Sequence, residues 1–188
     1  MTSTTPIVAM PGPSVFFLPD VISRFVSSRP NVTASLITKS SNQVQDIIAL
    51  QQDNLGLADL SLIENDLSSL VEHRRTPFEC LCAVPADDLL SKKTMISPLD
   101  LDGKPLATLD HDHSTFKQTK EAFVVAGATF NPRFVTEYFI PLMTFVESGL
   151  ACAIIDPISA QSYRLYRGAE QKVILCRSFP KLSWYLRS

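Results

Sequence analysis

The chain has 188 residues, 17 of them basic and 19 acidic, for a formal charge of −2, and 45% of it is hydrophobic. That length and balance can bury a sizeable core and argue against disorder. They also leave no basic field with which to hold a phosphate backbone, so direct DNA binding by these residues is not expected.

In chain order, Pro6 to Met10 (PIVAM) reads as a short buried strand, followed by the turn-prone Pro11-Gly12-Pro13-Ser14. A helix is expected over Phe16 to Ser28, with Phe17, Val21, Phe25 and Val26 at core spacing. Pro30-Asn31 then punctuates before a β-branched strand, Val32 to Thr38. Strand, helix and strand in this order imply a crossover into a parallel sheet. Ser40-Ser41 follows, then a helix over Val44 to Gln51 with Val44, Ile47 and Ile48 inward. A third strand over Leu55 to Leu60 carries Asp59 at the carboxyl edge of the sheet, where open α/β sheets bind ligands. Phe78 to Val84 is the fourth strand.

Pro85 to Gly103 reads as loop with a short helix. Leu106 to Leu109 is a short strand leading into Asp110-His111-Asp112-His113-Ser114 and a helix over Thr115 to Ala126. Phe130 to Val135 is a further strand, and Thr136 to Ser148 is helical despite Pro141, with Gly149 ending it. Leu150 to Ile155 is the most apolar strand and ends at Asp156-Pro157. A short helix over Ser159 to Leu165 and strands at Lys172 to Cys176 and Ser183 to Leu186 complete the chain. With βα units before and after the fourth strand, two lobes with a cleft between them are expected, although a single three-layer sandwich fits the same pattern.

Cys80, Cys82, Cys152 and Cys176 lie in apolar segments without C-x2-C spacing, which points to buried free thiols. No basic start precedes an apolar stretch and no apolar run approaches roughly 18 residues, so neither a signal peptide nor a membrane span is expected, and a reducing cytoplasm fits best. The Asn31-Val32-Thr33 sequon carries little weight without secretion.

Chemistry is sparse. Asp110 to His113 offers oxygen and imidazole ligands, but adjacent residues rarely converge on one ion and no distant Cys/His cluster supports them, so a solvated loop beside a cleft is expected and no metal. Ser14, Ser40, Ser41 and Ser114 sit near strand ends or helix starts; each either caps a helix or, with neighbouring amides, holds a ligand carboxylate. Asp59, Glu137 and Asp156 have the opposite polarity and suit an ammonium or guanidinium group, or else a cap or salt bridge. Asp156 is the sharpest, because a carboxylate ending a wholly apolar strand needs a partner. Neither a glycine-rich phosphate loop nor G-x-S-x-G is present, and no spacing selects a Ser/His/Asp triad, so neither a cofactor nor catalysis is expected.

The segments FLPDVISRFVSSRPNVTASLITKSS, LQQDNLGLADL, CLCAVPADDLLSKKTMISPLDLDGKPL and FVESGLACAIIDP, in this order, resemble the effector-binding domain of LysR-type transcriptional regulators. That resemblance implies an α/β, two-lobed fold like the type 2 periplasmic binding proteins, with a ligand cleft between the lobes. Lobe I would hold residues 5–80 and 181–188, and lobe II residues 81–180. The family's N-terminal DNA-binding domain and the C-terminal end of lobe I would be missing from this chain. By the same resemblance the effector site takes the loop after the first strand, Pro11 to Ser14, the loop after the second, Ser40-Ser41, the loop around His111 to Ser114, and Asp156; together with the residue chemistry this makes Met10, Gly12, Ser14, Ser40, Ser41, Asp59, His111, Ser114, Glu137 and Asp156 the candidate ligand-binding residues.

Ile155-Asp156-Pro157 is similar to the regulators that respond to opines and basic amino acids, which implies a zwitterionic, nitrogen-rich effector such as an opine or an arginine-like amino acid. The implied function is regulatory: effector binding favours one lobe closure and one homodimer arrangement, with promoter DNA contacted only through the N-terminal domain. A solute-binding protein of a transport system is the alternative, and an enzyme using His111 or His113 a more distant one.

Overall fold

A computed structural model describes residues 3–50, 55–59, 73–168 and 173–187. The chain divides into two compact units, Met1–Pro77 with Ser183–Ser188, and Phe78–Leu182. Two long strands, β4 (His73–Pro85) and β8 (Val173–Arg187), have residues in both.

In the first unit β1 (Ser3–Ala9) is the centre of a parallel trio, with β2 (Val32–Thr38) on one side and β3 (Leu55–Asp59) on the other. Antiparallel pairing of β3 with the end of β8, from Gly56 opposite Arg187 to Asp59 opposite Trp184, closes this part of the sheet. The crossovers are α1 (Pro11–Val15) with α2 (Phe17–Val26), and α3 (Ser41–Ala49). Val44 and Ile48 of α3 pack on Val8 and Ala58, with Ile47 at the margin, as their helical spacing predicts. Gly56 makes that approach possible: a Cβ there would lie 2.5 Å from Ile48 Cγ1 and 3.1 Å from Val44 Cγ1.

Of the residues expected inward on α2, only Val26 is turned in. Leu18 is buried, and Ile22 and Val26 lie half-buried on its stripe, whereas Phe17, Val21 and Phe25 are 43%, 45% and 52% exposed. The helix carries two apolar stripes displaced by one residue, and periodicity alone does not choose between them.

The second unit is built on β5 (Leu106–Leu109), β6 (Pro132–Thr136) and β7 (Cys152–Ile155), with β5 parallel to both neighbours and β7 antiparallel to β4. Every residue of β5 and β7 is buried, and alternate side chains enter different cores. Ala107, Leu109, Ala153 and Ile155 join α5 (Phe139–Glu147) and α6 (Pro157–Arg167) on one side. Leu106, Cys152 and Ile154 join Phe123 of α4 (Ser114–Ala126) on the other. All four cysteines are buried in this second core as thiols outside any disulfide, as expected.

The segment expected as loop with a short helix forms two 3-10 turns, Leu89–Lys92 and Pro98–Leu101, whose Leu90 and Leu101 plug the same core. The helix expected from Thr136 starts only at Phe139, which puts Pro141 in the first turn, where its missing N–H has no intrahelical acceptor to lose. Gly149 follows that helix at φ +73°, a left-handed position suited to glycine. The two terminal strands expected at 172–176 and 183–186 are one strand, β8.

Substituting Gly56→Ala should lower stability by about 1–3 kcal/mol through overpacking against Ile48. Urea melts of the two proteins, at unchanged m-value, measure this; an unchanged midpoint would show that α3 moves aside freely.

Candidate functional site

Parallel strands bring their following loops to one edge, so the register determines which polar residues meet. In the first unit Ala9 stands beside Thr38 and Leu57, and the ladder continues one step further through Met10 N–H to the Leu57 carbonyl and Lys39 N–H to the Ala9 carbonyl. Met10, Lys39 to Ser41 and Asp59 therefore share the carboxyl edge.

Met10 is buried, and Ser41 Oγ lies 3.5 Å from its sulfur. Ser14 Oγ donates to the Met10 carbonyl at 2.8 Å, so its proton is engaged by the backbone and the oxygen is left as an acceptor. Ser40 does what the capping alternative predicts: its hydroxyl accepts from Gln43 N–H and Gln43 Oε1 accepts from Ser40 N–H, a capping box at the start of α3. Gly12 lies within α1 rather than in an open turn. Asp59 ends β3.

In the second unit Leu106 pairs with Cys152 in β7 and Leu109 with Thr136 in β6, so the exits of β5, β6 and β7 lie together. The turn after β5 separates its histidines. His111 faces solvent: its side chain is 74% exposed, with Nδ1 3.2 Å from Asp110 Oδ1 and Nε2 3.6 Å from Asp112 Oδ2. These three residues hold their ligand atoms within 4.8 Å of one another in a solvent-facing turn, which is local charge pairing. His113 is instead the N-cap of α4, accepting Thr115 N–H on Nδ1 at 3.2 Å, with its ring edge-to-face on Phe139 at 6.1 Å. Burial pushes its imidazole down to about 4, with Asp110 acting the other way. A neutral ring that accepts on Nδ1 carries its proton on Nε2, so His113 is a donor there. Ser114, beside it, is buried at the first helical position, and Glu137 is exposed beyond β6.

Asp156 ends β7 with 1% exposure and caps α6: its Oδ1 accepts Ile158 N–H at 2.9 Å and Ser159 N–H at 2.8 Å. Burial raises its carboxyl pKa, while the Ser159 side chain and these helix amides act in the opposite direction. Its Oδ2 and the Ser159 Oγ are buried without a well-formed hydrogen bond. Asp156 is thus a cap through Oδ1, one of the alternatives raised for it.

Each unit, then, collects polar groups at the carboxyl edge of its own strands: Met10, Ser14 and Ser41 in one, His113, Ser114, Asp156 and Ser159 in the other. Residues 4–172 match the family model of the LysR substrate binding domain. The chain belongs to that family. This LysR substrate-binding domain is 28% identical over 151 residues to the regulatory protein NocR of Agrobacterium tumefaciens, an alignment covering 80% of this chain and 49% of the relative. It spans about half the length of the curated relatives it matches. Among solved structures it is similar to the CcmR regulatory domain of Synechocystis PCC6803 in complex with 2-PG, with a TM-score of 0.81, 15% identity and coverage of 98% and 86% of the two chains. It is likewise similar to the effector-binding domain of QuiR in complex with shikimate, with a TM-score of 0.77, 13% identity and coverage of 100% and 88%. These neighbours give the fold of the LysR substrate-binding domain: two lobes, periplasmic-binding-protein-like. Among the described residues no helix is long and apolar enough to cross a membrane.

Ser159 was not singled out in the sequence, and His113 was read there only as part of the loop from His111 to Ser114. The helix start expected at Thr115 made Ser114 the natural cap, and the cap is in fact one residue earlier. Because the folded pKa of His113 lies below its ordinary value, the stability of its neutral form is complete above about 6.5 and is lost as pH falls through about 4. His113→Asn, which keeps a capping acceptor, should flatten the fall of stability across that window, as read from urea melts at successive pH values. A slope identical to that of the parent would remove His113 from the acid response.

Proposed function

We propose that this chain is the effector-sensing part of a LysR-type transcriptional regulator, in which a small carboxylate-bearing effector engages polar groups at the carboxyl edge of the strands. The observation that carries this reading is the open hydrogen-bonding capacity at the second edge: a neutral His113 Nε2–H donor after β5 and, after β7, an Asp156 oxygen and a Ser159 hydroxyl that lack well-formed bonds. Among the expected serines, Ser41 and Ser114 remain carboxylate-binding candidates, whereas Ser40 serves as a cap.

An opine or arginine-like effector is the finer reading. Asp156, with one oxygen left over after capping, supports a cationic nitrogen in the ligand, and the similarity to NocR over most of the chain agrees with it. Binding then acts by population shift: an effector that fits one arrangement of the domain better than another biases the regulator toward it. The homodimer we propose uses apolar helix faces that this chain leaves uncovered, Phe17, Val21 and Phe25 on α2 and Val124 and Val125 on α4. Promoter DNA is contacted by the N-terminal domain that such regulators carry. Family membership disfavours a transport role, because the relatives are transcriptional regulators.

Calorimetric titration with octopine, nopaline, arginine and a nitrogen-free acid tests the reading. One of the three nitrogen-bearing compounds should bind saturably and, at about 100 times its Kd, stabilise the chain by about 2.7 kcal/mol. Ser41→Ala should weaken that binding about tenfold, the worth of one hydrogen bond to a charged group. Binding of the acid alone would overturn the nitrogen reading and leave the effector function.

A further inference from the structure

We infer that the subsite at the start of α6 takes a single ammonium group in preference to a guanidinium, holding it between Asp156 Oδ2 and Ser159 Oγ. This rests on the effector reading above and narrows its chemistry. The argument is one of acceptor capacity. A carboxylate oxygen has two lone-pair directions, and Asp156 Oδ1 already accepts two helix amides, Ile158 N–H at 2.9 Å and Ser159 N–H at 2.8 Å. A guanidinium fork places parallel N–H bonds on both oxygens of one carboxylate, and here only one of the two is open. An ammonium has no such demand: its three N–H groups radiate from one atom and are satisfied by unlike acceptors in any suitable directions.

The structure supplies two such acceptors on one helical turn. Four buried side-chain polar atoms lack a partner among the described residues, and two of them, Asp156 Oδ2 and Ser159 Oγ, belong to residues three apart at the head of the same eleven-residue helix. Asp156 is 1% and Ser159 5% exposed. The Ser159 side chain offsets part of the cost of withdrawing the Asp156 carboxylate from water, and a ligand cation relieves the rest. Burial already raises the Asp156 pKa, as it does for a carboxylate still lacking its counter-charge. The helix amides oppose a cation at this position, and their effect is met on Oδ1, which leaves Oδ2 to the ligand.

The test is calorimetric titration of the full chain with δ-aminovalerate, δ-guanidinovalerate and valerate, which share a carboxylate and differ at the far end. The amine should bind about tenfold or more tightly than the guanidine, the worth of a charge-assisted bond. Asp156→Asn, which keeps a capping oxygen, should abolish the preference. Ser159→Ala leaves the Asp156 carboxylate and its cap intact and should weaken the amine several-fold. Equal or tighter binding of the guanidine, a preference that survives Asp156→Asn, or silence of all three would overturn the inference. The effector reading fails separately: it falls only if octopine, nopaline, arginine and nitrogen-free hydroxy acids also leave the melting temperature unmoved.

Discussion

Burial of β5 and β7 on both faces is the constraint on which the second unit depends. All eight of their residues are buried, with α4 closing one side and α5 and α6 the other. Strands enclosed this way cannot carry chemistry along their length, because an unpaired polar side chain there would cost more than a typical core contact returns. Apart from Thr108, whose hydroxyl donates to the Phe134 carbonyl at 3.5 Å, polar residues therefore enter where these strands stop. Asp110 follows β5 and Asp156 follows β7, at the first positions where the chain leaves the two cores. The same constraint explains the cysteines, which as weak donors are compatible with full burial, and whose thiols at Cys82 and Cys152 are pushed up by desolvation and stay protonated.

Each strand end is also a helix beginning, and helix beginnings need acceptors for their free amides. A residue at the edge is thus asked to cap and to bind with the same few atoms. Ser40 is consumed by its capping box, and Ser14 directs its proton to the Met10 carbonyl. His113 and Asp156 divide the work: one ring nitrogen and one carboxylate oxygen satisfy the helix, while Nε2–H and Oδ2 remain. Counting what a cap leaves over is more informative than identifying the cap, because only the remainder can meet a ligand.

Much of the architecture was readable from patterns of apolar residues. The expected bounds of β2 and β5 coincide with the observed ones, since Pro30-Asn31 marks the start of the one and Asp110 ends the other. The inward face of α2 was not readable, because two apolar stripes compete and only packing decides between Leu18 and Phe17. The break expected within β8 spans Pro180, where the extended backbone that a proline favours serves a strand as well as a turn. At the candidate site, loop positions followed from strand order, and Asp156 stood out by its apolar context. His113 did not, because a one-residue shift in the start of α4 exchanges a solvated histidine for a buried one. Such shifts lie within the usual uncertainty of helix ends, so chemistry at a cap is the first thing a sequence loses.

The two helices that border the second edge are also joined at their far ends. Glu147 closes α5 and accepts from Tyr163 Oη at 2.6 Å and from Arg167, both on α6. The two contacts are unequal. Arg167 is 38% exposed, and an ion pair open to water to that degree is worth about 0–1 kcal/mol. The Tyr163 phenol is buried and donates to a charged group, a bond worth about 1.5–3 kcal/mol. Burial, reinforced by Glu147, raises the phenol pKa, so the proton stays where the bond needs it across the physiological range. The tyrosine therefore sets the strength of the clamp and the arginine adds little. With the carboxyl ends of α5 and α6 tied, Phe139 against His113 at the head of one helix and Asp156 at the head of the other cannot shift independently. A ligand group that draws on Asp156 then acts on a pair of helices, which is how a contact of a few atoms can bias a packed domain between discrete arrangements.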